Sequence, residues 1–352
     1  MNDDTVLLDT EGRILHITLN RPRALNALTH AMVRLVDEGL TAAEQDEAVV
    51  AVVISGAGER GLCAGGDIRS IHDDARAGGE ASLMFWRDEY HLNARIARFP
   101  KPYVALMDGI VMGGGVGVSA HGDVRVVTER SRVAMPETGI GFVPDVGGTR
   151  LLAAAPGELG THLALTGQAV GAADAVLCGL ADHFVPSERL PALTEALAGS
   201  NHPDDVVPTV LRFASDAPEG ELDTHRAWID TCYAADTVEE IIDRLNASGV
   251  TAAKETAEVL LAKSPTALKV TLAAVRRAGR LDSLEAALAQ EYRVSCRAFT
   301  APDLVEGVRA QIIDKDRNPR WQPAALADVA EADVARYFAP LGDQELGLVT
   351  PA

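Results

Sequence analysis

YVALMDGIVMGGGVGVSA, residues 103–120, sets an apolar run directly against a cluster of glycines. The run YVALMDGI (103–110) reads as a strand buried on both faces, because it lacks the apolar–polar alternation of a strand with one wet face. The glycines of VMGGGVGVSA (111–120) then fall where a strand gives way to a helix. Glycine there lets main-chain N–H groups come close to a ligand or a neighbouring chain segment. The same pattern occurs upstream, where VVAVVIS (49–55) runs into the glycine-rich loop GAGERGLCAGGDI. VRVVTE, beginning at Val124, is the next strand.

Apolar strand, glycine loop and helix in succession are the signature of βα crossovers and a largely parallel sheet. Towards the N-terminus, TVLLDT and RILHITLN read as two strands joined at a turn around Glu11 and Gly12. From Thr29 to about Gln45, Met32, Leu35, Val36 and Leu40 recur at helical spacing. Beyond about residue 150, near APGELG, strand signals nearly vanish. Helical segments such as TVEEIIDRLNA, SPTALKVTLAAVRRA and LEAALAQEYRVSCRAF take over. We therefore expect an α/β class, with a core over residues 1–200 and a helical region over 201–352 that covers the site and contributes to assembly.

Composition narrows the function. The 352 residues are 47% hydrophobic and 24% charged, ordinary for a globular chain. With 51 Asp and Glu against 32 Lys and Arg, the net charge of −19 argues against nucleic acid as a partner. No apolar run reaches the roughly 18 residues of a membrane span, so no membrane partner is expected. The acidic start MNDDTVLLDT lacks the features of a signal or transit peptide, which makes a cytoplasmic location the expectation. Cys63, Cys178, Cys232 and Cys296 are scattered and fit buried free thiols rather than a zinc site or disulfide framework. No metal and no cofactor is expected. The glycine loops match neither the phosphate-cradling nor the dinucleotide-binding spacing, and no G-x-S-x-G nucleophile elbow occurs.

Two carboxylates stand out in AMPETGIGFVPDVGGTRLL (134–152), a stretch otherwise small and apolar. Glu137 and Asp145 each follow a proline. Burying a carboxylate is costly unless it is paired, hydrogen-bonded or used. Glu137 has a solvated turn as its alternative, and Asp145 an N-cap position on a helix expected near Gly147.

In order and spacing, NRPRALNAL (20–28), GLCAGGDI (61–68), the segment 101–127 and MPETGIGFVPDVGG (135–148) resemble the crotonase, or enoyl-CoA hydratase/isomerase, superfamily of acyl-CoA enzymes. The resemblance implies a stack of ββα turns with a helical C-terminal region, and backbone N–H groups of Gly66 and Gly114 forming an oxyanion hole. Enoyl-CoA hydratases carry a glutamate two residues after the triple glycine and a second 20 residues later. Here the first position is Gly117, and only Glu137 remains. A glycine cannot hold a proton or orient water through a side chain.

The altered pattern resembles the 3-hydroxyisobutyryl-CoA hydrolase branch of that superfamily. FWRDEYHLN (85–93), HFVPSERL, DTVEEII, KSPTALKVTL, EYRVSCR and EGVRAQIIDKDRNPRWQPA extend the likeness over nearly the whole chain. This branch implies thioester hydrolysis in valine breakdown, with Glu137 and Asp145 catalytic and Glu89, Gly114, Glu137 and Asp145 contacting substrate. For Glu89 the alternative is a place on a charged helix face beside Arg87 and Asp88. Arg23 is a candidate for the CoA phosphates, with a plain surface arginine as its alternative. The resemblance further implies a small-molecule acyl-CoA substrate, which itself supplies the coenzyme A, and a homo-oligomer of three or more chains. Hydration or isomerisation with Glu137 alone, and a non-catalytic acyl-CoA-binding role, remain the alternatives.

Overall fold

The computed structural model describes residues 5–349; the acidic start Met1–Asp4 lies outside them. The chain forms two compact units, each assembled from three stretches of sequence.

Among the described residues, the first unit comprises 5–66, 88–133 and 170–220 and carries the main sheet. Strands β1 (Val6–Glu11) and β2 (Ile14–Leu19) form an antiparallel hairpin in the register Glu11↔Ile14 to Val6↔Leu19. β2 then pairs in parallel with β3 (Ala51–Gly56), and β3 with β4 (Tyr103–Met107). A short ribbon pairs β5 (Ile110–Met112) with β7 (Arg132–Ala134), while β4 continues the main sheet to β6 (Val124–Val127). The sheet ends on β8 (His183–Phe184), parallel to β6.

The crossover from β2 to β3 runs through the helix His30–Gln45. Thr29 caps it by accepting from Met32 N, and it buries Met32, Val33, Val36, Leu40 and Ala43. All five residues of β4 are buried, as an unalternating apolar run requires. Val53, Val104, Leu106, Val124 and Val126 from the sheet join Leu193, Leu197, Val206 and Val210 in one core cluster. Each such side chain contributes roughly 1.5–3 kcal/mol by leaving water.

The second unit, described residues 67–87, 134–169 and 221–349, is helical. Its long helices include Leu222–Tyr233, Pro265–Ala278 and Leu284–Phe299. Val143, Val270, Ala274, Val294 and Phe338 form a core cluster there. Ser264 caps the helix Pro265–Ala278 by accepting from Ala267 N, and its hydroxyl donates to Asp303. The α/β class agrees with the sequence reading, with one addition. β8 lies beyond the point where strand signals fade, because two residues are too few to show any alternation.

Candidate active site

Within the first unit, the glycine loop is stitched to the strands around it. Cys63 N donates to Ile110 O (3.1 Å), Met112 N to Cys63 O (2.9 Å), and Leu28 N to Gly65 O (2.8 Å). Gly65 has φ +110°, a conformation that residues with a side chain rarely adopt. Asn26, 1% exposed, accepts from Arg21 N and donates to Ala57 O and Gly61 O, locking the segment before the first crossover helix to this loop. The sequence reading gave Asn26 no role.

A Cβ added to Gly114 would lie 2.5 Å from Glu89 Oε1, 3.1 Å from Leu28 Cδ1 and 3.5 Å from Gly66 N. Gly66, Gly114 and the Glu89 carboxyl therefore border one small space. Glu89 lies on the helix Ala81–Ile96 and is 2% exposed, so it does not sit on a solvated charged face. Gly117, where the hydratases carry a carboxylate, is buried in the short helix Gly114–Gly117. Arg23 is exposed on the turn Pro22–Ala24, where its carbonyl accepts from Arg60. Cys63 is buried, and burial pushes its thiol up to about 12, so it is no nucleophile at neutral pH.

Within the second unit, the chain around the two acids folds into a pair of tight turns. Glu137 opens the 3-10 turn Glu137–Ile140 after Pro136 and is 7% exposed; it is not a solvated turn residue. Its Oε2 is buried without a hydrogen-bond partner among the described residues. Asp145 is 5% exposed. The helix that follows it spans Gly148–Ala153 and has Gly147 as its N-cap with no side-chain cap, so Asp145 is not that helix's cap. Glu291 instead meets the turn from 144 residues away, its Oε2 accepting from Gly147 N (2.6 Å). Glu291 Oε1 accepts from Thr149 N (2.9 Å) and from the Thr149 hydroxyl.

The electrostatics follow from this crowding. Burial first, and then the charge of Asp145, hold the Glu137 carboxyl well above the ordinary range; Lys263 opposes the shift. Burial pushes Glu291 up to about 8 despite its three donors, and Asp145 adds to that. The Lys263 amine is pulled down to about 8 by burial, against the attraction of Glu137. Buried acids this close cannot all be charged near neutral pH, so the group holds protons that it can give up.

Glu291 and Lys263 are the two groups the sequence reading missed. Glu291 carried a signal: it falls three residues after Leu288 and three before Val294, on the apolar face of its helix. Among the described residues, no group of three or more His, Cys, Asp or Glu side chains is placed to hold a metal ion.

Relatives give these features a family. A family model described as enoyl-CoA hydratase/isomerase matches residues 14–338. The 3-hydroxyisobutyryl-CoA hydrolase, mitochondrial, of Rattus norvegicus is 43% identical over 97% of this chain and 90% of its own. The protein of that name from Homo sapiens is 42% identical over the same shares. Among solved structures, a carnitinyl-CoA dehydratase from Mycobacterium thermoresistibile superposes with TM-score 0.93 at 54% identity, over 97% of this chain and 98% of its own. An enoyl-CoA hydratase from Rhodobacter sphaeroides gives 0.91 at 45%, over 98% and 100%. The chain belongs to the enoyl-CoA hydratase/isomerase family and has its crotonase-like fold.

Proposed function

We propose that this protein hydrolyses short 3-hydroxyacyl-CoA thioesters, (S)-3-hydroxyisobutyryl-CoA first among them, to CoA and the free hydroxy acid. 3-Hydroxypropionyl-CoA, which has the same 3-hydroxyl but lacks the 2-methyl branch, is a second substrate. The observation that carries the reading is the placement of acids. The position where hydratases hold their first carboxylate is Gly117, while Glu137 and Asp145 are both present and both buried. Full-length relatives named as hydrolases of this substrate support it.

In the proposed reaction, the N–H groups of Gly66 and Gly114 stabilise negative charge as it develops on the thioester oxygen. Glu137, once ionised, takes a proton from water as it adds to the carbonyl carbon, or adds itself to give an anhydride that water then opens. The C–S bond breaks, and the departing thiolate receives the proton that Glu137 took from water or, on the anhydride route, one delivered from the side of Asp145. Asp145 orients the substrate hydroxyl or the water, and Glu89 serves the same polar end. Arg23, exposed on its turn, steers the CoA phosphates.

A second reading, addition or removal of water at a carbon–carbon double bond, is favoured by the names of the two solved structures. Supplying a panel of acyl-CoAs and following free thiol beside enoyl absorbance separates the two. Thiol release from 3-hydroxyacyl thioesters supports hydrolysis; change in the double bond without thiol supports the second reading. Among the described residues, no helix is long and apolar enough to cross a membrane. The vertebrate relatives are named as mitochondrial proteins; for this chain the cytoplasm remains our proposal from its sequence, tested by cell fractionation.

A further inference from the structure

The turn that carries Asp145 is held in an unfavourable backbone conformation. Val146 has φ +52°, a region that β-branched residues avoid, and Gly147 follows at +82°. Such strain persists only where the surroundings over-determine it. Here they do. Val146 is 1% exposed, Gly148 N closes the turn onto Asp145 O (2.6 Å), and the next two free donors, Gly147 N and Thr149 N, both end on Glu291. The Thr149 hydroxyl, fully buried, makes a third bond to the same carboxyl.

We infer that Glu291 is the positioning residue of the proposed reaction: its carboxyl fixes the strained turn Asp145–Thr149 and so sets where the Asp145 side chain is presented. The inference rests on the hydrolase reading given above. A carboxylate suits this task because it offers an acceptor oxygen to each side of the turn, Oε2 to Gly147 and Oε1 to Thr149. An amide offers one oxygen, and its NH2 would face an N–H donor.

Glu291 also couples to the acids electrically, through Asp145. Asp145, Glu137 and Lys263 are the charged groups of its immediate cluster. The elements packed on its helix add Arg150, which donates to Leu281 O, and Arg277, which lies over the Phe338 ring. They also add Asp303, which accepts from Ser264 and Gln322 N, and the Asp333–Arg336 pair. Ionised, the Glu291 carboxyl accepts from all three donors; protonated, one of its oxygens carries a hydrogen that must face a donor, so the turn is held less firmly and the rate rises as Glu291 ionises.

The test is thiol release from 3-hydroxyisobutyryl-CoA between pH 5.5 and 9.5, for the full chain and for the Glu291→Gln, Thr149→Val and Thr149→Ser variants. Glu291→Gln should lower kcat on the order of 10²-fold, with KM within about threefold, and abolish the rise in rate near pH 8. Thr149→Val removes one donor to the carboxylate and should move that rise upward by about one pH unit, while Thr149→Ser should leave it in place. Lys263 titrates in the same range, but its inflection would not follow the Thr149 hydroxyl. An active parent whose Glu291→Gln variant keeps kcat and its pH profile overturns this inference alone. So does a Thr149→Val profile that does not move. A parent that releases thiol from no acyl-CoA overturns the hydrolase reading and this inference with it.

Discussion

Gly114→Ala adds one carbon at the point where the proposed oxyanion donors and Glu89 converge, and its consequences can be worked from the geometry. Gly114 has no positive φ among the described glycines, so alanine meets no backbone strain there. The new carbon would lie 2.5 Å from Glu89 Oε1, about an ångström inside ordinary contact, and Glu89 at 2% exposure has little room to retreat. It would also lie 3.5 Å from Gly66 N, over the face of the second proposed donor. A carbonyl oxygen displaced from both donors loses at least one oxyanion hydrogen bond, worth about 2.7–4 kcal/mol, or a 10²–10³-fold fall in kcat. The same overpacking should lower the melting temperature by a few degrees without preventing folding. Steady-state thiol release, read with a disulfide reagent beside a calorimetric scan, measures both. Gly171→Ala, whose added carbon meets nothing within 4 Å at an ordinary backbone angle, is the control and should match the parent. A Gly114→Ala variant that folds and keeps kcat within threefold of the parent would refute the assignment of the hole.

Glu137→Gln should lower hydrolysis roughly 10³-fold and Asp145→Asn roughly 10²-fold, with circular dichroism unchanged. Glu137 also has a signature independent of activity. Because its folded pKa lies above its unfolded value, the stability it contributes is full below the ordinary carboxylate range and is lost as pH rises through the folded value. The melting temperature of Glu137→Gln relative to the parent should therefore climb between pH 5 and pH 9, and a flat difference would contradict the burial-driven shift. Lys263→Met removes the cation that pulls Glu137 down, so the acid limb of the rate profile should move to higher pH. Arg23→Ala should raise KM by no more than about fivefold with kcat unchanged, an effect that fades with added salt because the side chain is exposed.

What the sequence disclosed and what it withheld divide along a physical line. The strands β3 and β4 were legible because strands buried on both faces must be apolar throughout, and the helix His30–Gln45 because one of its faces must be. Glu137 and Asp145 were legible because an acid among small apolar residues is conspicuous. Glu291 was not, although it ties down the same turn. Its place on the apolar face of its helix was the one local signal, and the partners that explain it lie 142 and 144 residues away. The positive φ of Val146 was equally hidden, since a β-branched residue is what that backbone conformation normally excludes. The helix expected near Gly147 does form, yet the Gly147 and Thr149 donors at its start end on a distant carboxylate, Glu291, while Gly148 N ends on the Asp145 carbonyl.

The central claim is that carboxylates placed at Glu137 and Asp145, with glycine at 117, cleave a thioester rather than hydrate a double bond. The most direct measurement supplies the purified full chain with 3-hydroxyisobutyryl-CoA and with a short enoyl-CoA, and follows free thiol and enoyl absorbance together. We expect stoichiometric CoA release from the hydroxyacyl thioester and no loss of the enoyl double bond. Hydration of the enoyl-CoA without release of thiol from either substrate would contradict it.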